Sequence, residues 1–355
     1  MLDTNAETPL PWHTPLPPLC SRSAEQALAH WQSLAKPPGS LGRLEATVAT
    51  LAGVQQTPKP MADHAHLWLF AADHGLALDG VTAWPQAVTG GMLGTFAAGG
   101  AAINQICRSQ SIGFTAVDAG VAQPPKVDGY VDCSQGRGTA SALQGQAMGE
   151  GQAVKALLAG WQLVQDDPNR PHLLLLGEMG LGNTASASLL TQALTGVAIG
   201  DCVGRGAGLD DAGLARKQQV LAEVVDKHGR PTDPLAVLAC FGGFEVAMMA
   251  GAALAGASRR QTILVDGFIA TAAVALACEL QPQLRHYCLF CHRSAEPGHQ
   301  HLLSHLQAEP LLDLSLALGE GSGAALAVGL IRSAVACHRD MDSIDTVLER
   351  AGLAE

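Results

Sequence analysis

Short apolar runs that stop at glycine-rich or charged turns constrain the fold of this chain more than any other feature. Five such runs are followed by alanine-rich segments with helical spacing, which is the pattern of repeated βα units. The runs are His66–Ala72 before DHG, Gly113–Val117 before DAGV, Leu173–Leu176 before GEMGLGN, Ala236–Cys240 before FGGFE and Thr262–Val265 before DGF. This pattern predicts an α/β protein with a Rossmann-like parallel sheet flanked by helices, whose turns converge on one pocket at the carboxyl ends of the strands.

Both ends of the chain have a different pattern. The proline-rich start cannot form a continuous helix and is expected to run as an extended arm over another surface. Apolar residues at three-and-four spacing then predict helices over 24–34, 41–54, 299–306 and 323–336, with a turn at KPPGS (36–40). We expect a smaller helical domain built from both termini. The predicted division is 1–60 for the arm and first helices, 61–290 for the large nucleotide-binding domain and 291–355 for the rest of the small domain.

Charge and composition exclude several classes of partner. A formal net charge of −11 argues against a nucleic-acid or anionic membrane surface. The start of the chain does not resemble a signal peptide, so we expect a cytoplasmic protein. The apolar stretches 246–257 and 263–278 are rich in small residues and predict buried helices and strands rather than membrane spans. The nine cysteines are expected to be free thiols.

The segment GEMGLGNTAS (177–186) predicts an anion site. Gly180, Gly182 and Ala185 have the spacing at which backbone NH groups at a helix start hold a phosphate. Two alternatives are a tight turn without a ligand, and a dinucleotide site in which Asp201 supplies the acid about twenty residues further on.

A second glycine-rich turn, GRGAGLDD (204–211), precedes a helix that carries Lys217. Two NH-rich turns and one lysine suit a single phosphate, because a helix end offers only about half a unit charge. The alternative for Lys217 is an ordinary solvated helix residue.

Glu320 is the candidate proton acceptor. It lies between two glycines in LALGEGSGAAL (316–326), and apolar surroundings raise the pKa of a carboxyl group. The alternative is that Glu320 caps the helix that follows. The nearby CLFCH (288–292) formally matches a haem-attachment motif, but without an export signal it predicts two buried thiols beside a polar turn.

Several segments, taken in order, resemble one family, the nicotinate-nucleotide:dimethylbenzimidazole phosphoribosyltransferases of the cobalamin pathway. The segments are KPPGSLGRLE (36–45), AADHG (71–75), GGAAIN (99–104), GEMGLGNT (177–184), GRGAGLDD (204–211), GGFEVAMMAGA (242–252), VDGFI (265–269), HRSAEPGH (292–299) and LGEGSGAA (318–325). The resemblance implies that Glu320 removes a proton from the benzimidazole while its other ring nitrogen attacks C1′ of the ribose. It implies no metal and no cofactor, and two small-molecule substrates.

The resemblance also implies the binding residues. For the ribose phosphate these are Glu178, Gly180, Gly182, Asn183, Thr184, Gly204, Arg205, Gly206 and Lys217. Asp266 and Ser294 are expected to line the mononucleotide site, and Thr82, Met92 and Leu318 the base pocket. Gly91 departs from the family, where a Gln is expected, so Trp84 or Gln86 would have to compensate or the pocket would accept other bases.

The resemblance implies a homodimer, to which the small-residue segment GGFEVAMMAGAALAGA could supply a tightly packed helix. Two other functions remain open from the residues. The first is an NAD-dependent oxidoreductase, on the strength of GLGNTA and Asp201. The second is a nucleotide- or base-binding sensor without catalysis, although a sensor needs no proton acceptor.

Overall fold

The computed structural model describes residues 10–353. Its strands are β1 Ala65–Ala72, β2 Gly113–Gly120, β3 Val131–Asp132, β4 Leu173–Met179, β5 Thr262–Val265 and β6 Cys288–Phe290. Its helices are α1 Ser21–Ser33, α2 Arg43–Gln55, α3 Ala87–Ala97, α4 Ala102–Ser109, α5 Glu150–Asp166, α6 Asn183–Thr195, α7 Ile199–Cys202, α8 Asp211–His228, α9 Pro234–Phe241, α10 Phe244–Ser258, α11 Phe268–Leu280, α12 Pro297–His305, α13 Ser322–Asp340 and α14 Ile344–Arg350. Short 3₁₀ turns cover Pro11–His13, Gly75–Asp79 and Pro282–Tyr287.

The strands form one parallel sheet in the order β3-β2-β1-β4-β5-β6. This is the strand order of a Rossmann fold, so the predicted fold class is confirmed. The order reverses direction between β1 and β4, and a crevice opens where the loops after these two strands diverge.

Successive side chains along each strand point to opposite faces of the sheet, and both faces are buried. In β1, Trp68 and Phe70 face one core with α5, α6, α10 and α11, whereas Leu67 and Leu69 face a second core with α2, α4 and α13. Each face is covered by helices, as a parallel sheet requires. The helices of the two chain ends, α1, α2 and α13, thus form part of the layer on the second face. The domain boundaries at 60/61 and 290/291 stay a prediction.

One predicted strand is wrong. Residues 236–240 lie in helix α9, because Asp233 caps that helix by accepting from the backbone NH of Ala236 at 2.9 Å and Pro234 occupies its first turn. The sheet instead gains β3 and β6, which the sequence pattern did not predict. The CLFCH segment contains strand β6, and its Cys288 and Cys291 are buried free thiols, as predicted.

The small-residue segment at 242–257 is buried inside the chain. It forms α10, whose Gly251 lies so close to α5 that an added Cβ would be 1.9 Å from the carbonyl oxygen of Leu157. The small-residue segment is therefore a tightly packed helix within one subunit, and the homodimer stays a prediction.

The N-terminal arm runs over the same subunit in the part that the structure describes; its first residues, 1–9, lie outside that part. Trp12 and Leu16 are buried in the first core, and Gln281 donates to the carbonyl of Thr14 at 3.2 Å. All nine cysteines are free thiols. Within residues 10–353, no helix combines the length and the apolar character that crossing a membrane requires.

Candidate active site

The turn after β4 forms the centre of a cleft at the carboxyl edge of the sheet. Gly180 lies against the end of β1, where an added Cβ would be 2.1 Å from the carbonyl oxygen of Ala72. Gly182 starts α6 at a φ of 94°, a conformation that favours glycine. Asn183 and Thr184 then form the first turn of α6, where the NH of Asn183 donates to the carbonyl of Gly180 at 3.3 Å and the start of the helix attracts an anion.

A buried polar network supports this turn from below. His74 Nε2 and Glu245 Oε1 lie 2.6 Å apart, and Thr89 Oγ1 donates to Asp73 Oδ1 at 2.6 Å. Thr89 Oγ1 in turn accepts from the backbone NH of Leu181 at 3.2 Å, which fixes the middle of the turn. Burial opposes protonation of His74, but Glu245 outweighs burial and raises the pKa of His74 above its ordinary value.

Lys217 and the segment 204–206 lie next to Thr184. Lys217 is fully buried, and its Nζ donates to Thr184 Oγ1 at 2.9 Å and to the carbonyl of Gly204 at 3.0 Å. Burial lowers the pKa of Lys217 to about 8, and Glu296 opposes this shift. The solvated-helix interpretation of Lys217 is therefore wrong, because the ammonium group lies behind the cleft.

Glu178 and Glu320 are two buried carboxyl groups at the end of β4. The carbonyl oxygen of Glu320 would be 2.6 Å from a Cβ added to Gly177, so the 319–321 loop packs directly on β4. Burial raises the pKa of Glu178 to about 8, with further contributions from Asp266, Glu245 and Glu320. The amide of Asn183 donates to Glu178 Oε2.

Glu320 has the features of a proton acceptor rather than a helix cap. It adopts a φ of 61°, unusual for a residue with a side chain, and its Oε2 is buried without a hydrogen-bond partner. Burial raises the pKa of Glu320, against the effect of the backbone NH of Ile103. The cap of α13 is supplied by Asp266, whose Oδ1 accepts from the backbone NH of Ala324 at 3.0 Å.

Asp266 also contacts His292 on the far side of the cleft. Their Oδ1 and Nε2 atoms are 3.4 Å apart, and both side chains are buried. Burial opposes protonation of His292, but Asp266 raises its pKa above the ordinary value. Ser294 follows two residues later, held by a bond from its backbone NH to His299 Nδ1 at 2.9 Å.

The cleft itself has a volume of about 830 Å³, including its open mouth. The predicted site residues that line it are Thr82, Glu178, Gly180, Gly182, Asn183, Thr184, Gly206, Asp266, Ser294 and Leu318. Gly204 and Lys217 lie directly behind Gly206 and Thr184, and Glu320 directly follows the lining residue Gly319.

Arg205 and Met92 are not brought to the cleft wall. The guanidinium of Arg205 is half-exposed and bonds to Asp211 and, at 3.0 Å, to the carbonyl of Leu209. Met92 is partly buried and packs on the second core. The proposed substitutes for a Gln at Gly91 are also engaged elsewhere, since Trp84 donates to the carbonyl of Ala207 at 3.2 Å and Gln86 to that of His74 at 2.9 Å.

Sequence reasoning assigned no role to Asp73, His74, Glu245, His292 or Glu296. All five lie within the motif segments, and a polar residue close behind a strand, such as Asp73 or His292, is the signal that could have found them. Among residues 10–353, no three or more His, Cys, Asp or Glu side chains are grouped so that they could hold a metal ion.

Comparisons with known proteins agree over nearly the whole chain. The family model described as phosphoribosyltransferase matches residues 16–347. Nicotinate-nucleotide–dimethylbenzimidazole phosphoribosyltransferase of Aromatoleum aromaticum is 49% identical over 313 residues, 88% of this chain and 91% of the relative. The protein of the same name from Ralstonia nicotianae is 46% identical over 333 residues, 93% of this chain and 94% of the relative.

Solved structures give the same answer. The crystal structure of the enzyme of that name from Thermus thermophilus superimposes with a TM-score of 0.86 at 38% identity, covering 94% of this chain and 99% of that one. Identity at this level over both chains extends well beyond a shared sheet. The chain belongs to the nicotinate-nucleotide–dimethylbenzimidazole phosphoribosyltransferase family.

Proposed function

We propose that this chain transfers the 5-phosphoribosyl group of nicotinate mononucleotide to dimethylbenzimidazole or a related base. The products are nicotinate and α-ribazole 5′-phosphate. The observation that carries the proposal is a cleft that joins an NH-rich, lysine-backed turn to the loop of Glu320, whose pKa is raised. The relatives named above carry this activity in their names.

At the phosphate end of the cleft, the proposed contacts to the substrate come mainly from backbone NH groups. The NH groups at the start of α6 and the ammonium of Lys217 behind Thr184 supply positive potential. Glu178, whose pKa of about 8 keeps it mostly protonated near neutral pH, adds little negative charge beside the phosphate. This end fixes the ribose so that C1′ is presented to the incoming base.

Glu320 supplies the proton acceptor of the reaction. It takes the proton from one nitrogen of the benzimidazole, and the lone pair of the other nitrogen forms the new bond to C1′. The C1′ bond to the pyridinium nitrogen breaks, and its electrons neutralise the cationic ring of the departing nicotinate. A carboxylate with a raised pKa is a better base near neutral pH than an ordinary glutamate.

Two further features are part of the proposal. The first is a cytoplasmic location and the second a homodimer, formed by a surface other than the buried α10. Light scattering at micromolar concentration should give twice the mass of one chain, and a monomer mass would contradict the dimer.

The oxidoreductase alternative loses its main support in the structure. Asp201 lies exposed on the short helix α7, outside the residues that line the cleft, whereas a dinucleotide site needs its acid near the ribose. The sensor alternative does not explain why one buried carboxylate oxygen of Glu320, Oε2, has no hydrogen-bond partner.

The test is product formation by the purified protein. Nicotinate mononucleotide and dimethylbenzimidazole should give α-ribazole phosphate by chromatography, and NADH fluorescence should be unchanged by the protein. Adenine, phenols and substituted benzimidazoles, assayed in parallel, measure base preference. The absence of product with every base, or a clear NADH signal, would reject the proposal.

A further inference from the structure

A carboxylate of the protein already occupies part of the NH-rich turn. Glu296, the residue before α12, lines the cleft, and its Oε1 accepts from the backbone NH of Gly206 at 3.0 Å. Its carboxylate lies against the backbone of Gly204, where an added Cβ would be 2.0 Å from Oε2. One of the donors expected to hold the substrate phosphate is therefore in use by the protein's own anion.

This carboxylate is poorly satisfied where it lies. Its Oε2 is buried and has no hydrogen-bond partner, so the group gains one bond in return for the loss of its hydration. A buried acceptor without a hydrogen-bond partner is less stable than the same group in water. Helix α12 begins directly after Glu296, at the protein surface. The contact is one that a stronger ligand can replace.

Lys217 explains why an anion lies there at all. Its ammonium group is fully buried, and none of the ion pairs in the described part of the chain includes it. A Cβ added to Gly206 would be 3.6 Å from Lys217 Nζ, so the NH that Glu296 occupies belongs to a residue beside the ammonium. Glu296 thus partly compensates a buried positive charge.

We propose that Glu296 is a built-in occupant of the phosphate subsite, which holds the place of the substrate phosphate and is displaced when that phosphate binds. The inference rests on the proposed function, since it assumes that the substrate phosphate uses this turn. A dianion with three acceptor oxygens replaces a single carboxylate contact, and the two anions repel each other at this distance. Glu296 therefore lowers the affinity for phosphate and favours ligands that carry a full phosphate group.

The test is the affinity for inorganic phosphate of wild type and Glu296→Gln, measured by calorimetry. Glutamine has the same shape, and its amide oxygen can still accept from Gly206, so only the charge is removed. We expect about tenfold tighter phosphate binding in the variant, the scale of removing one like charge from a partly buried anion site. The affinity for nicotinate riboside, which has no phosphate, should not change.

Exposed Glu309, changed to Gln, is the matched control because it removes the same charge further along the chain. If Glu296 were instead a clamp that shapes the turn, Glu296→Gln would bind phosphate equally well or more weakly, which overturns the proposal. The absence of measurable phosphate binding to either protein overturns it as well. Should Glu296→Gln fail to fold, Glu296→Ala removes the carboxylate altogether and should also bind phosphate more tightly.

The outcome is separate from that of the proposed function. Tighter phosphate binding by Glu296→Gln in a protein that forms no α-ribazole phosphate would support the subsite and reject the reaction. Product formation with no change in phosphate affinity would reject only the role of Glu296.

Discussion

The two proposed ends of the cleft, a phosphate end and a base end, are built in different ways. The phosphate end consists of backbone turns after β4 and before α8, and a buried network of Asp73, His74 and Glu245 supports it. The base end consists of side chains on the loops around Thr82 and Leu318, and Leu318 is 54% exposed. A phosphate group can be held by fixed NH groups, whereas a base can be selected by side chains that change without disturbing the sheet.

The largest expected effect comes from Glu320→Gln, which tests the base end. The amide cannot accept the proton, so kcat should fall roughly a hundredfold or more, the range expected for loss of a general base. Steady-state kinetics of α-ribazole phosphate formation measure it, with Glu309→Gln as the control. A loss of only a few-fold would mean that another group accepts the proton.

Lys217→Met tests the phosphate end. Loss of the positive charge behind Thr184 should raise the KM for nicotinate mononucleotide tenfold to about a hundredfold. Chemical denaturation should show stability equal to or above that of the wild type, because methionine removes a buried charge that Glu296 compensates only in part. Exposed Lys227→Met, on the same helix, is the control. An unchanged KM together with lower stability would make Lys217 structural only.

The pH dependence sharpens the comparison further. The pKa of Lys217 in the folded protein is about 8, below its ordinary value of 10.5, so the ammonium loses its proton as the pH rises above about 8. Affinity for nicotinate mononucleotide should therefore fall above about pH 8 in the wild type. The fall should be shallower in Lys217→Met, where only the ionisation of Glu178, whose pKa is also about 8, opposes phosphate binding. The same depressed pKa means that the stability cost of the buried charge is fully present below pH 8 and is relieved between about 8 and 10.5. A flat wild-type binding profile would contradict this assignment.

Gly91→Gln should have the smallest effect, and that effect should be confined to the base end of the cleft. Gly91 lies in α3 with no atom within 4 Å of an added Cβ, so a glutamine fits without strain. We expect a few-fold change in KM for dimethylbenzimidazole relative to other bases, and none for nicotinate mononucleotide. Gly151→Gln on α5 has the same free space and controls for helix propensity, about 1 kcal/mol or less. Equal KM changes for all bases would show that Gly91 does not select the base.

The hydrophobic pattern of the sequence predicts the inner strands of the sheet better than it predicts the edge strands. Strands β1, β2, β4 and β5 follow long or fully apolar runs that end in charged or glycine-rich turns, and the structure has them. The run at 236–240 predicts a strand by the same rule, whereas Asp233 and Pro234 begin a helix there. A short apolar run fits either element, and only the cap distinguishes them.

The site was predictable only in part, for a physical reason. Residues in one turn, such as Glu178 and Gly182, are brought together by local geometry. The pairs His74 with Glu245 and Gly206 with Glu296 join segments far apart in the chain, and no spacing rule connects them. The roles of the predicted residues stay proposals until the variants are measured.

The central claim is that the two ends of the cleft act separately, one binding phosphate and the other moving a proton. Calorimetric titration of nicotinate mononucleotide into Lys217→Met and Glu320→Gln tests it most directly. We predict that Lys217→Met loses affinity on the order of tenfold or more, as expected for loss of the positive charge behind Thr184, while Glu320→Gln binds as the wild type does. Equal losses of affinity in the two variants would contradict the claim.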